Sequence, residues 1–203
     1  NRIAIAVDGT SITLPKDDAR LSYLNNWFDP VILQTIENLR VAILAHSEEL
    51  APIFLVLASN LLREYSKQDP KDLRIRRRKS PLPDIPFISA FLTESQKYIE
   101  RLCTSQEIFE SNLGTGQAIV RDVTERRASG SYDAAVTSPP YAMALPYIDT
   151  QRLSLVWLGL EDPAHIARLE STLVGSREWR GAKQEVWARL ESNASELPEQ
   201  EYS

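Results

Sequence analysis

The 203-residue chain is poor in the residues that build disulfide frameworks and metal sites. It has one cysteine, Cys103, and two histidines, His46 and His165. A single thiol cannot form an intrachain disulfide, and so few thiol and imidazole ligands make a zinc site improbable. We therefore expect no bound metal, a reducing and cytoplasmic setting, a buried Cys103 and helix-end positions for both histidines.

Long apolar runs are also missing. The longest, Pro52 to Leu62, is about half of what a membrane-spanning helix needs, and Ser59 and Asn60 interrupt it. The first residues form a strand-like run rather than the apolar core of a secretory signal. The sequence thus predicts no membrane partner.

Positive charge is scarce overall but concentrated in one place. The net charge of −5 argues against a uniformly basic nucleic-acid coat protein. Within six residues, however, lie Arg74, Arg76, Arg77, Arg78 and Lys79. Such a run is either a solvated surface or a phosphate-contacting segment, and composition leaves both interpretations open.

The first half of the chain has helical periodicity. Residues 1–28 are interpreted as strands, a hairpin and a linker, and residues 29–110 as a helical insert. Asp29-Pro30 predicts the cap and first turn of a helix that ends near His46. A second helix is expected from Ser47, apolar all round and therefore buried. Residues 67–86 carry four prolines and the basic run, which indicates an irregular crossing, and a third helix is expected from Ile88 to Phe109.

The pattern changes after residue 110. Short apolar runs at Gln117 to Val123 and Tyr132 to Val136 predict strands, and Ile148 to Leu158 predicts a helix that Gly159 ends. A further helical turn is expected at 163–169. Residues 111–180 are interpreted as a core domain, and residues 181–203 as a terminal helix and tail. Strands joined through crossovers favour an α/β fold with a largely parallel sheet.

The second predicted strand stops at an unusual corner. Residues 132–141 read YDAAVTSPPY, and two prolines cannot continue a strand ladder. Ligands of open α/β sheets bind beyond the carboxyl ends of the strands, where Asp122 would end the neighbouring strand. A carboxylate such as Asp122 at a strand end is, by itself, more often a solvated turn residue. The alternative for the corner is a tight loop with a packed tyrosine, but no structural need explains why a strand should end with this order of residues.

Thr137 to Tyr141, after an aspartate-led apolar strand, resembles the catalytic motif of amino-methylating DNA methyltransferases, whose serine form is typical of the N4-cytosine branch. Asn26-Trp27-Phe28, the arginine-rich segment, VRDVTE and Tyr147 to Gly159 are also similar to one subgroup of bacterial DNA methylases. The resemblance covers roughly residues 20–180. It implies a partial Rossmann-like methyltransferase sheet with an α-helical insert, S-adenosylmethionine as cofactor and DNA as partner.

The resemblance also implies residue roles. The Ser138 hydroxyl and the Pro139 carbonyl would accept the hydrogens of the target amine, and Pro140 would fix the corner. Tyr141 would stack on a base flipped out of the duplex. On the cofactor side stand Asp122, which would accept from the adenine amine, and Thr137. The basic run, Tyr147 and Arg152 are the predicted DNA contacts, whereas Trp27 and Trp157 are expected in the core.

One part of the family pattern is missing. Gly114-Thr115-Gly116 precedes a predicted strand instead of following one, so it fails the context of a cofactor loop. With the non-Met start, this predicts a carboxyl-terminal portion that is completed by an upstream portion of the same polypeptide. Adenine-N6 stays open as target. The alternatives are amine methylation of RNA or protein, and a non-catalytic DNA-binding or assembly subunit derived from a methylase. A polyproline ligand for a partner domain is a weaker alternative, because a strand-terminating corner is seldom free to dock.

Overall fold

The described backbone is helical. The structure, a computed structural model, describes residues 13–15, 17–46, 49–109, 116–119, 133–134, 136–138 and 147–172. These residues form helices α1 (Ala19–Asn25), α2 (Pro30–His46), α3 (Ala51–Leu61), α4 (Phe87–Phe109), α5 (Tyr147–Leu158) and α6 (Ile166–Thr172), with a 3₁₀ turn at Pro163–His165. None of the helices in these ranges is both long and apolar enough to span a bilayer.

Two aspartates determine where the first helices begin. The Asp18 carboxylate accepts a hydrogen bond from the backbone N–H of Leu21, 3.1 Å away, and so caps α1. Asp29 accepts from the backbone N–H of Val31 at 3.1 Å, directly before α2. Pro30 then occupies the first position of α2, where a missing N–H breaks no helical bond. The helix predicted from Asp29-Pro30 is confirmed, and His46 is its last residue.

Gly159 ends α5, as predicted. Its φ of 72° is in the left-handed region, which glycine enters without a Cβ penalty. The N–H of Leu160 bonds to the carbonyl of Leu155 at 2.9 Å, and that of Gly159 to Val156 at 3.1 Å. This pair of bonds is a Schellman motif, and it turns the chain sharply toward the 3₁₀ turn that follows.

Helix α3 lies at the centre of the bundle, where it packs against α2, α4 and α5. The shared core contains the fully buried rings of Trp157, Phe28 and Phe91. Phe91 meets Phe54 edge to face, with the ring centroids 6.3 Å apart. The prediction that Trp157 is a core residue is confirmed. Helices α1 and α5 also pack against each other, so residues that are distant in sequence meet where these two helices touch.

The predicted α/β fold, with its partial Rossmann-like sheet, is wrong. None of the described residues lies in a strand, and the one bridge they contain is an isolated antiparallel pair between Gln68 and Arg77. Of the predicted strands, residues 117–119, 133–134 and 136 are described and make no ladder. Ile119 and Val136 are exposed, although a core strand would bury them. Short apolar runs carry too little periodicity to identify a strand.

Two smaller expectations about burial are also wrong. Helix α3 begins at Ala51 rather than Ser47, and its Ile53 and Val56 are exposed. Cys103 is exposed too, on the carboxyl-terminal half of α4, which extends past the core. An apolar residue on a helix is buried only where a neighbouring element packs against that side of the helix. The sequence of the helix alone does not predict how far its neighbours extend along it.

Candidate nucleic-acid interface

The connection between α3 and α4 contains a loop that folds back on itself, residues 67–79, which we call the basic loop. The backbone N–H of Arg78 donates to the carbonyl of Lys67 at 2.9 Å, and that of Asp69 to Arg76 at 2.8 Å. These two bonds frame the antiparallel pair Gln68 and Arg77. Residues directly opposite each other on an antiparallel pair share a face, so Gln68 and Arg77 project to the same side.

The base of the loop is fixed to the end of α1. The N–H of Lys67 donates to the carbonyl of Trp27 at 2.6 Å. The Arg77 guanidinium donates to the carbonyl of Asn26, and its carbon lies 4.3 Å from the centre of the Trp27 ring. A guanidinium over an indole face is attracted by the ring quadrupole, so Arg77 acts as a clamp between the loop and α1.

Arg152 reaches the same indole from α5. Its guanidinium carbon lies 4.0 Å from the Trp27 ring centre, and the residue is only 4% exposed. The guanidinium donates to the Tyr23 hydroxyl and, at 3.3 Å, to the Gln68 side-chain oxygen. Arg152 therefore joins α1, α5 and the basic loop at one buried polar centre.

The electrostatics of this centre follow from its burial. Burial lowers the pKa of Arg152, and the Tyr23 hydroxyl offsets part of that effect. Burial likewise raises the pKa of Tyr23, while the Arg152 charge acts in the opposite direction. The Arg152 guanidinium, which stays charged in proteins, donates this hydrogen bond, and the raised pKa of Tyr23 favours the neutral phenol as its acceptor.

Two further arginines bond to backbone carbonyls in the loop and in the residues just before it. Arg78 donates to the carbonyls of Glu64 and Ser66, the second at 3.0 Å. Arg63 donates to the carbonyls of Asp69, at 3.3 Å, and Asp72. An irregular loop has carbonyls without strand or helix partners, and these guanidinium donors satisfy five of the carbonyls around it when the Arg77 bond is included.

Four of the other cations of the loop face solvent. Arg76 forms an ion pair with Asp72, with 2.9 Å between Nε and Oδ2. The side chains of Lys71, Arg74 and Lys79 are exposed and have no side-chain partner among the residues that the structure describes. With seven basic and two acidic side chains, the loop carries a net charge of +5 in a chain whose net charge is −5.

The predicted DNA contacts therefore separate into two groups. Arg74 and Lys79 are exposed, while Arg76, Arg77 and Arg78 have partners within the chain. Arg152 is buried against Trp27, which brings it together with Arg77. Tyr147 is partly exposed at the first position of α5, five residues before Arg152.

The residues assigned to methyl transfer are described only in part. Thr137 and Ser138 are exposed and outside any helix. Pro139, Pro140, Tyr141 and the proposed cofactor contact Asp122 lie outside the described residues. No group of three or more potential metal ligands is found among the residues that are described.

Sequence reasoning missed two members of the polar centre, Tyr23 and Gln68. Tyr23 lies four residues before Trp27, one helical turn away, which is a signal that could have linked them. Gln68 gives no such signal, because its role depends on the pairing with Arg77. Comparison of the chain with protein-family models, with curated proteins and with solved structures gives no match.

Proposed function

We propose that the chain is part of a DNA amino-methyltransferase, which transfers the methyl group of S-adenosylmethionine to the exocyclic amine of a flipped-out base, with cytosine N4 as the first-choice target. The observation that carries this proposal is the sequence TSPPY at Thr137 to Tyr141. Its support is chemical. A serine hydroxyl followed by two prolines supplies acceptors and no competing backbone donors.

The chemistry needs such acceptors because the amine lone pair is delocalised into the base. The Ser138 hydroxyl and the Pro139 carbonyl would accept hydrogen bonds from the two N–H groups of the amine. These bonds favour a pyramidal nitrogen and stabilise the positive charge that develops on it. Tyr141 would stack on the extruded base. The exposure of Ser138 is compatible with access by a nucleotide.

The cofactor, when bound, supplies the electrophilic methyl group. Among the residues assigned to it, Thr137 is exposed and adjoins Ser138. The basic loop supports DNA as the acceptor, since a +5 segment in an acidic chain would attract a polyanion locally.

The test uses the complete gene product with a labelled methyl donor and, in parallel, DNA, RNA and protein as acceptors. We expect label in DNA, and nucleoside analysis to find it on cytosine N4. Ser138→Ala should lower the rate roughly 100-fold, as loss of one transition-state partner does. Ser89→Ala, which removes an exposed hydroxyl from α4, is the matched control and should leave the rate unchanged.

Three results would contradict the proposal. If the Ser138→Ala protein methylated DNA at the wild-type rate, Ser138 would not have the role assigned to it. Label in RNA or protein alone would favour another acceptor. DNA binding without measurable cofactor binding or methyl transfer would favour a non-catalytic DNA-binding subunit.

A further inference from the structure

The outer turn of the basic loop, residues 71–75, which we call the loop tip, combines exposed cations with exposed apolar side chains. The order along the chain is Lys71, Asp72, Leu73, Arg74 and Ile75, and the apolar Leu73 and Ile75 are 44% and 45% exposed. A solvated loop normally carries polar residues at such positions, because exposed leucine and isoleucine gain nothing from water.

Hydrogen bonds fix the backbone of the loop tip. The carboxylate of Asp69 accepts from the N–H of Lys71 at 3.0 Å, and that of Asp72 accepts from the N–H of Arg74 at 2.9 Å. Arg63 also bonds to the carbonyl of Asp72. Much of the ordering that a binding partner would otherwise have to impose is therefore already present, which favours binding.

From these observations we infer that the loop tip inserts into a groove of duplex DNA. Lys71 and Arg74 contact phosphates, and Leu73 and Ile75 pack against the bases inside the groove. Arg77 and Arg78 are positioning residues that hold the loop on the bundle. The identity of the partner rests on the proposed function, and the assignment of roles within the loop rests on the contacts above.

Charge complementarity selects a polyanion as the occupant. Of the cations of the basic loop, only Arg76 lies within salt-bridge distance of a carboxylate among the described residues. Apolar side chains flanked by cations suit a duplex, which offers phosphates at the groove edges and apolar base surfaces between them. A methyltransferase that extrudes a base also benefits from apolar groups that contact the disturbed stack.

The first experiment measures how the affinity of the complete gene product for a labelled random-sequence duplex depends on salt. Log K falls as log salt concentration rises, and each lost phosphate contact reduces the magnitude of this slope by about 0.9. Lys71→Gln with Arg74→Gln should therefore reduce the slope by about 1.8. The matched control, Lys97→Gln with Arg101→Gln on α4, removes the same charge and should leave the slope unchanged.

The second experiment isolates the apolar contacts. Leu73→Ser with Ile75→Ser should weaken binding about tenfold at every salt concentration while the slope stays constant, because buried apolar area contributes independently of salt. Ile99→Ser with Leu102→Ser is a close control, since both residues are 45% exposed on α4. It should leave affinity unchanged. Thermal melting by circular dichroism verifies that all four double variants are folded.

The outcomes separate the inference from the proposed function. Loop-tip variants that bind like their α4 controls overturn the inference, even if methylation of DNA is intact. The expected slopes and affinities without methyl transfer overturn the proposed function and support the inference. A wild-type protein that does not bind duplex DNA overturns both.

Discussion

Replacing Arg152 distinguishes most directly between the phosphate contact expected from the sequence and the buried centre seen in the structure. We consider Arg152→Met, which keeps the length and removes the charge, and Arg152→Lys, which keeps the charge and removes the fork. Arg152→Met leaves the Tyr23 hydroxyl and the Gln68 oxygen without their donor and removes the cation from the Trp27 ring.

The size of the effect follows from these contacts. Hydrogen bonds from a charged donor contribute about 1.5–3 kcal/mol each, and a desolvated cation–π contact roughly 2 kcal/mol. The loss is reduced because the variant no longer buries a charge, the effect that lowers the pKa of Arg152. We expect Arg152→Met to lower the free energy of unfolding by about 3 kcal/mol. Arg152→Lys should lose about 2 kcal/mol, since a compact ammonium cannot serve both acceptors as the guanidinium does.

Urea denaturation followed by tryptophan fluorescence and circular dichroism measures these differences. Arg101→Met, on the exposed half of α4, is the control and should change stability by less than about 0.5 kcal/mol. An Arg152→Met protein as stable as this control would refute the buried centre. If its salt slope for DNA binding also fell by about 0.9, the phosphate role would be supported instead.

Three further predictions concern the bundle. Glu37→Gln should lower the free energy of unfolding, measured by urea denaturation, by about 3 kcal/mol, because Arg20 loses a buried partner 2.6 Å away. An Arg20→Met, Glu37→Leu double variant should recover most of this stability, and no recovery would contradict the prediction. Burial raises the pKa of Tyr23 and Tyr65, so their contribution to stability is full below about pH 10 and is lost as pH rises through the higher folded pKa values. Tyr23→Phe should reduce the loss of stability at alkaline pH. A titration of absorbance at 295 nm that shows only the ordinary tyrosine pKa would contradict this prediction. Gly159→Ala should lower stability by about 1 kcal/mol through its φ of 72° alone, because an added Cβ meets no atom within 4 Å, and an unchanged melting temperature would count against that strain.

The helices were the predictable part of the fold, because their ends carry local chemical signals. Asp29 with Pro30 marks the start of α2, and Gly159 marks the end of α5. The start of α3 was misplaced by four residues, because Ser47 looks like a cap but Ala51 is the first helical residue. The strands failed for the opposite reason. A strand is stabilised by pairing with neighbouring strands, and a short apolar run such as residues 117–123 does not indicate which segment it would pair with.

The candidate site was predictable as a region but not residue by residue. The sequence identified a basic segment next to the helices, and the structure gives it a base at Trp27. The burial of Arg152 depends on its contacts with Tyr23 and Gln68, which are distant from it in sequence. The position of Arg152 on the predicted helix, five residues after Tyr147, did not reveal which side of α5 faces α1.

An arginine-rich run in an irregular connection is ambiguous for a physical reason. A guanidinium carries five donors, enough to satisfy backbone carbonyls that have no helix or strand partner, and it can stack on an aromatic ring while doing so. In the basic loop, Arg77 and Arg78 serve the carbonyls of Asn26, Glu64 and Ser66 in this way. A lysine offers a single strongly hydrated ammonium and stays in water. Lys71 and Arg74 at the loop tip are therefore better candidates for the proposed phosphate contact than the uninterrupted run from Arg76 to Lys79.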